Sequence, residues 1–448
     1  MPKFSSKIGV IATTVGSAVG LGNVWRFPAE VQANGGALFL FIYIICIFLF
    51  GIPVMTAEFA LGRGGDSDAV SVYGKVTPRH KHWALTGALA VLASYLILSF
   101  YMVVSGWTLE YLLQSLSGNL YAADAADKTA FTASMGRYIA GTWRPIVRTV
   151  VMILANLVVL LRGVRGGIER ISNILMPLLF VLLAVFCGVS LSLPGARQGL
   201  EFFLRPDLSA LSPSTVINAL GQAFFSLSLA MGILVTYSSY YPATTRLTRT
   251  ATTVALLDLM VALLMGVIIF PAVMTFGLAD SDLAGSSLVF VTLPEIFARM
   301  SGSQWWSALF FLLLTVGAFT STISLAEVSV SFVKTRWGVS RRAACLWVCL
   351  PLLVLSSVCS LSVGPWSGFT IAGLTIFDFL DTIATNIMLP LGGILLCLYM
   401  GWVAPERFFR AQLTNDGAIH SRALTAIRFI VKWVAPPLIF LILVWQFV

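Results

Sequence analysis

Eleven apolar stretches of roughly twenty residues or more divide this chain, at about 8–32, 37–62, 84–116, 145–161, 170–193, 212–240, 250–278, 304–333, 343–360, 370–401 and 427–447. A helix that crosses the hydrocarbon of a bilayer needs about 20 such residues. Helices satisfy their own backbone hydrogen bonds, which lipid cannot do for them. A chain built this way is expected to be an all-α polytopic membrane protein with eleven transmembrane helices. Composition agrees. The 448 residues would suggest about three soluble domains by length, yet only 10% are charged and 58% are apolar. Soluble domains carry about 25% charged residues. Residues 1–448 therefore read as a single transmembrane domain. Lys3 and Lys7 ahead of the first stretch imitate a signal peptide. No small-residue cleavage site follows, and Arg26-Phe27-Pro28 comes directly after, so the stretch is expected to remain as span 1.

Orientation follows from lysine and arginine placement. With the N-terminus inside, twenty of the 28 basic residues fall in internal loops and seven outside, with Arg26 inside span 1. The expected placement is a multi-pass protein of the cell (inner) membrane, N-terminus cytoplasmic and C-terminus extracytoplasmic. The same asymmetry explains the net charge of +9 without a nucleic-acid partner. Cys46, Cys187, Cys345, Cys349, Cys359 and Cys397 all lie in apolar runs and read as buried small hydrophobes. His80, His82 and His420 sit in charged loops, and no catalytic set emerges, which argues against an enzyme. The external loops are expected at about 117–143 and 279–303, the second carrying a re-entrant or surface helix at Leu288–Ala298.

Spans 1 and 6 are unusual. Span 1 contains Gly16-Ser17-Ala18-Val19-Gly20-Leu21-Gly22-Asn23, and each interior glycine weakens a helix by roughly 1 kcal/mol. Span 6 contains Ser226-Leu227-Ser228-Leu229-Ala230-Met231-Gly232, with hydroxyls able to replace lost backbone partners. Close packing of helices by small residues would also explain such a composition. The positions argue for more. The two segments open spans 1–5 and spans 6–10, and an odd offset inverts the second set relative to the first. Interrupted helices in matching places point to a transport site at mid-membrane. The expected organisation is a first repeat over 8–193, a second over 212–401, and span 11 at 427–447. Asp258, in the middle of span 7, is either a structural hydrogen-bonding group or a functional one, since an intramembrane carboxylate is costly unless partnered.

The run from Gly16 through Asn23 into Val24-Trp25-Arg26-Phe27-Pro28 resembles the first-helix signature of the neurotransmitter:sodium symporter family. Gly51-Ile52-Pro53, Glu58, Gly62-Arg63, Gly221 to Ser228, Thr236 to Tyr240 and Thr320-Ser321 continue the resemblance along nearly the whole chain. It implies a LeuT-type fold, a 5+5 inverted repeat with discontinuous helices 1 and 6, in the bacterial amino-acid branch of the family. By resemblance, one Na+ would be held by Ala18, Asn23, Ser226, Asp258 and the substrate carboxylate. A second would be held by the carbonyls of Gly16, Val19 and Gly317 with the hydroxyls of Thr320 and Ser321. Sodium's preference for hard oxygen ligands suits both sets. Taken alone, Thr320 and Ser321 would read as interhelical hydrogen bonding. Chloride-dependent relatives have neutral side chains near Asp258, so chloride-independent transport is expected.

The same resemblance sets the substrate. Amine-transporting relatives carry an aspartate where this chain has Gly20. A glycine leaves the half-helix N-terminus free for a substrate carboxylate. Leu21, Gly22 and Tyr101 would hold that carboxylate. The ammonium would meet Ala18, Phe225, Ser226 and Ser228. The side chain would enter a pocket of Ile97, Phe225, Ala230, Met231, Ser321 and Leu325, favouring a hydrophobic or aromatic L-amino acid. Tyr101 would otherwise read as an ordinary buried tyrosine. Arg26 and Asp381 resemble an external charge pair, or form a plain salt bridge, with Tyr101 and Phe225 as the lid. Glu58 and Gln222 resemble braces of the broken helices. The family's inner gate pairs an N-terminal arginine with an aspartate at the end of span 8. Here that position is Thr335, and Lys3 or Lys7 is left to serve. Glu327 has no assigned role beyond a place near an inner water path. The expected protein is a sodium-coupled symporter working by alternating access, with a monomer sufficient for transport. A carboxylate osmolyte or γ-amino acid is the rival substrate, and a channel the rival class.

Overall fold

The computed structural model describes residues 2–121, 128–278, 287–420 and 423–447. Parts of both long loops expected to be external, at 122–127 and 279–286, lie outside the described residues. Among the described residues, nine continuous helices are long and apolar enough to cross a membrane. They are Ala37–Gly65, Lys81–Leu116, Trp143–Leu161, Val164–Leu191, Leu247–Thr275, Ser303–Trp337, Arg341–Ser362, Ile376–Val403 and Leu424–Trp445. They correspond to spans 2–5 and 7–11. Span 1 is a bent pair, Lys7–Ala18 and Gly22–Ala33, turned by 56°. Span 6 is two shorter helices, Pro213–Ser226 and Ile233–Ser239.

The bends have local causes. Among the described residues, seven stretches of wide, π-type turn interrupt the helices, and in six of them a proline stands two residues after the stretch. Gly22–Arg26 precedes Pro28, Ile47–Gly51 precedes Pro53, Leu288–Thr292 precedes Pro294, and Thr382–Met388 precedes Pro390. Proline lacks an N–H and crowds the carbonyl four residues back, and widening the turn relieves both. Hydroxyl caps set several starts. Ser6 Oγ accepts from Gly9 N–H at 2.8 Å, and Ser212 Oγ accepts from Thr215 N–H at 3.1 Å ahead of Pro213.

Two expectations are corrected. Span 10 does not begin at 370. Thr370–Ile371 pairs antiparallel with Leu374–Thr375, closed by Ala372 and Gly373 at φ 53° and 81°, and the helix starts at Ile376. The two-residue left-handed turn outweighs the apolar pattern there. The piece at Leu288–Ala298 is a helix, and of its two expected placements, re-entrant or on the surface, only the surface one is overturned. Leu288 to Phe297 are buried, and Phe290 packs against Trp25, Trp107 and Tyr111 with ring centroids 6.5, 5.9 and 4.9 Å apart.

Candidate functional site

The break in span 1 is an extended residue, Val19 (ψ 114°), between helix Lys7–Ala18 and the wide turn Gly22–Arg26. In span 6 the chain leaves the helix at Leu227 and re-enters at Gly232. Between them Ser228 and Ala230 have φ 53° and 62°, and Gly232 has φ 70°. A left-handed conformation costs a residue with a Cβ about 1–2 kcal/mol, so neighbours have to hold it. Glu58 Oε1 accepts from Ala230 N–H at 2.7 Å, Ser228 Oγ donates to the Ser17 carbonyl at 3.0 Å, and Ser94 Oγ donates to the Met231 carbonyl. Glu58 is thus a brace of span 6. Gln222 is not: among the described residues neither end of its buried carboxamide has a partner, and Glu58 Oε2 is likewise unpartnered.

The two breaks face one another across a cavity of about 410 Å³ of non-atom space. Of the expected substrate residues, Ala18, Gly22, Ile97, Tyr101, Phe225, Ser226, Ser228, Met231, Ser321 and Leu325 line it. Leu21 does not, but its N–H donates to the Tyr101 hydroxyl at 3.0 Å. Ala230 is elsewhere; it lines a separate small cavity beside Glu58. Ser17, Gly20 and Ile233 line the main cavity and were not among the expected contacts. Ser17 and Gly20 belong to the glycine-rich break itself, so their neighbourhood was the signal. Gly20 is tightly surrounded: a Cβ there would lie 2.7 Å from Ser321 Oγ and 2.8 Å from the Tyr101 hydroxyl.

Beside the cavity, Asn23, Ser226 and Asp258 form one fully packed oxygen cluster. Asp258 is 0% exposed. Its carboxylate accepts from Asn23 Nδ2 at 2.9 Å and from Ser226 Oγ at 2.6 Å. Tyr43 donates to Ser226 Oγ at 3.2 Å, while Asn23 Oδ1 accepts from Gly20 N–H at 3.2 Å. All these partners are neutral, so the buried carboxylate has no cationic side chain bonded to it. A second cluster joins spans 1 and 8. Ser321 Oγ reaches the carbonyls of Val19 and Gly16 at 3.2 and 3.5 Å, and Thr320 Oγ1 reaches that of Gly317 at 3.0 Å. The five residues expected at this place do come together.

On one side of the cavity, the Arg26 guanidinium lies over the Phe225 ring, 4.8 Å from its centroid. Arg26 and Asp381 form no ion pair here. Arg26 Nε stands 3.8 Å from Glu30, one turn along, and Asp381 accepts from Thr385 Oγ1 at 3.2 Å. Further along span 8 from Ser321, Glu327 has a defined place. It is buried, and its carboxylate takes a two-pronged bond from Arg341 at 3.0 and 2.7 Å and one from the Tyr240 hydroxyl at 2.8 Å. Arg341 is on span 9, so this pair ties spans 6, 8 and 9. Removing one partner of a buried pair costs about 3–5 kcal/mol. Arg341→Gln is expected to lower the thermal midpoint of the purified protein markedly, while Arg342→Gln, whose side chain no carboxylate among the described residues holds, leaves it unchanged.

Two spans broken midway along their length around a shared cavity, flanked by two oxygen clusters, define a secondary transporter of the LeuT type. A sodium:neurotransmitter symporter family profile matches residues 1–138 and 133–448. YhdH, described as an uncharacterised sodium-dependent transporter of Bacillus subtilis, is 35% identical over 414 residues, covering 92% of this chain and 90% of the relative. A sodium-dependent transporter of Haemophilus influenzae is 32% identical, covering 90% and 89%. The crystal structure of MhsT in complex with L-phenylalanine superposes with a TM-score of 0.89 at 39% identity, over 99% of each chain. The chain belongs to the sodium:neurotransmitter symporter family. It is a sodium-dependent transporter and not an enzyme.

Proposed function

We propose that this protein couples two Na+ ions to the import of a hydrophobic or aromatic L-amino acid and does so without chloride. The observation that carries the reading is Asp258. Its carboxylate is buried among neutral donors beside the cavity, and a charge so placed needs a counter-charge. A sodium ion at Asn23, Ser226, Asp258 and the Ala18 carbonyl supplies it, replacing the hydrogen bonds that close the cluster. The fixed negative charge removes the need for an anion, which supports chloride independence. The cluster of Gly16, Val19, Gly317, Thr320 and Ser321 takes the second ion. That ion bridges the hinge of span 1 to span 8, so its binding favours one setting of the hinge.

The substrate carboxylate goes to the Leu21 and Gly22 amides and the Tyr101 hydroxyl, and its ammonium to Ser228 and the nearby carbonyls. Ile97, Phe225, Met231, Ile233 and Leu325 give the side chain an apolar wall. The structure of MhsT with L-phenylalanine supports an amino acid of this type. Spans 1–5 and 6–10 act as inverted repeats over 8–193 and 212–401, in a protein with its N-terminus cytoplasmic, and one chain suffices. Two sodium charges crossing 100 mV contribute about 4.6 kcal/mol, which is about three decades of accumulation.

A competition panel against one labelled hydrophobic amino acid in proteoliposomes tests the substrate. Leucine, phenylalanine and tryptophan are expected to compete, and glutamate and γ-aminobutyrate are not. Equal competition by all five refutes the assignment. Replacing chloride by gluconate at constant sodium is expected to leave uptake intact, and its loss refutes chloride independence.

A further inference from the structure

Thr335 offers no carboxylate, and Glu327 is committed to Arg341, so neither provides an inner-gate partner on span 8. The residues ahead of span 1 solve the problem differently. Lys3 Nζ lies 2.7 Å from Asp66 Oδ1 and 2.8 Å from the Ser239 carbonyl. Asp66 directly follows the cytoplasmic end of span 2, and Ser239 ends the inner half of span 6. Phe4, 2% exposed, sits among Tyr237, Tyr240 and Tyr241, and its N–H donates to the Tyr240 carbonyl at 2.8 Å. The Ser5 N–H and hydroxyl both donate to Glu169, on the wide turn that opens span 5, at 3.0 and 2.7 Å. Lys7 has no such bond among the described residues.

This short strap leads straight into the helix that ends at the extended Val19. Swinging that helix inward breaks the ties to spans 2, 5 and 6 together. We propose that Lys3–Asp66 is the charge latch of the cytoplasmic gate in this chain, positioned by the Ser5–Glu169 anchor, and that its closure holds the inner half of span 1 shut while sodium and substrate bind. Partial burial works to raise the Asp66 pKa, but neighbouring positive charge, that of Lys3 foremost and of the amino terminus after it, outweighs burial and holds the carboxyl below its usual value. Asp66 is therefore charged at cytoplasmic pH. Its left-handed backbone (φ 44°) suits asparagine equally well, so Asp66→Asn removes the charge without backbone strain.

The latch rests on the symporter reading, and its test separates the two. Sodium-dependent amino-acid binding and hydrogen–deuterium exchange of the Lys7–Ala18 segment are measured on the purified full chain and on K3Q, D66N, the double variant K3Q/D66N and the charge swap K3D/D66K. An exposed pair of this kind shifts an equilibrium by about two- to fivefold. Each single variant is expected to raise the sodium midpoint by about that factor and to speed exchange in Lys7–Ala18. The double variant is expected to match D66N, since K3Q removes nothing further once the Asp66 charge is gone, and the charge swap to recover toward the parent. An unchanged midpoint in both single variants, or effects that add in the double, overturns the latch. If D66N proves unstable, K3Q and the swap decide alone. Absence of sodium-dependent binding in the parent chain contradicts the symporter reading instead.

Discussion

Asp258→Asn is expected to reduce amino-acid uptake in chloride-free sodium medium by about a hundredfold or more, and chloride is expected to restore part of it. The carboxylate is fully buried, and its hydrogen-bond partners are the neutral Asn23, Ser226 and Tyr43. Its charge is balanced only when a cation enters. Asparagine keeps the shape and one acceptor but removes the charge, so the ion then arrives at a site with no counter-ion. Breaking such a buried pair costs about 3–5 kcal/mol, and about 3 kcal/mol is already two decades. A chloride ion beside the site replaces the lost charge, so rescue by chloride distinguishes an electrostatic loss from a misfolded protein. Parent-like uptake by D258N in gluconate medium contradicts the role given to Asp258.

Gly20→Asp has the second large expected effect, loss of amino-acid uptake by at least about a hundredfold. The first atom of the new side chain already lies within 2.8 Å of both Ser321 Oγ and the Tyr101 hydroxyl. Its carboxylate would then occupy the space assigned to the substrate carboxylate, beside the Leu21 N–H that the Tyr101 hydroxyl now accepts from. Two like charges cannot share that space without a large penalty. Gly20→Ala separates sterics from charge. It meets the same two hydroxyls, which can rotate or shift by tenths of an ångström, so it is expected to lose far less. Radiolabelled uptake together with sodium-dependent thermal shift checks both variants. Strong uptake by G20D moves the substrate carboxylate elsewhere.

Much of the architecture was legible because hydrocarbon leaves few options. The glycine-rich run from Gly16 to Asn23 announces the break in span 1, and the structure bends there. The break in span 6 carries a weaker signal, with Gly232 its one glycine. Nothing in Ser228 or Ala230 foretells a left-handed backbone, since their conformations are imposed by Glu58, Ser17 and Ser94 from other spans. Prolines two residues beyond the wide turns were an available signal that hydropathy reading ignored. The convergence of Asn23, Ser226 and Asp258 followed from the family resemblance; periodicity alone places them on three different helices with no stated meeting point.

Long-range charge pairing was the least legible layer. Glu327 and Arg341 are fourteen residues apart, on separate spans, and only the turn between them brings the bidentate pair together. Lys3 and Asp66 are separated by 63 residues, and a lysine in a short N-terminal strap has no periodic pattern to announce a partner. Arg26 shows the opposite failure. A pairing with Asp381 follows from resemblance, yet the shorter reach to Glu30 and the face of Phe225 holds the guanidinium in this conformation.

Central to the proposed transport is that sodium and an amino-acid carboxylate share one site between the two breaks. Binding of labelled L-phenylalanine to the purified protein, titrated in sodium chloride, sodium gluconate and potassium chloride, tests this most directly. Saturable binding in both sodium media with none in potassium is the predicted result. Equal binding in potassium contradicts it.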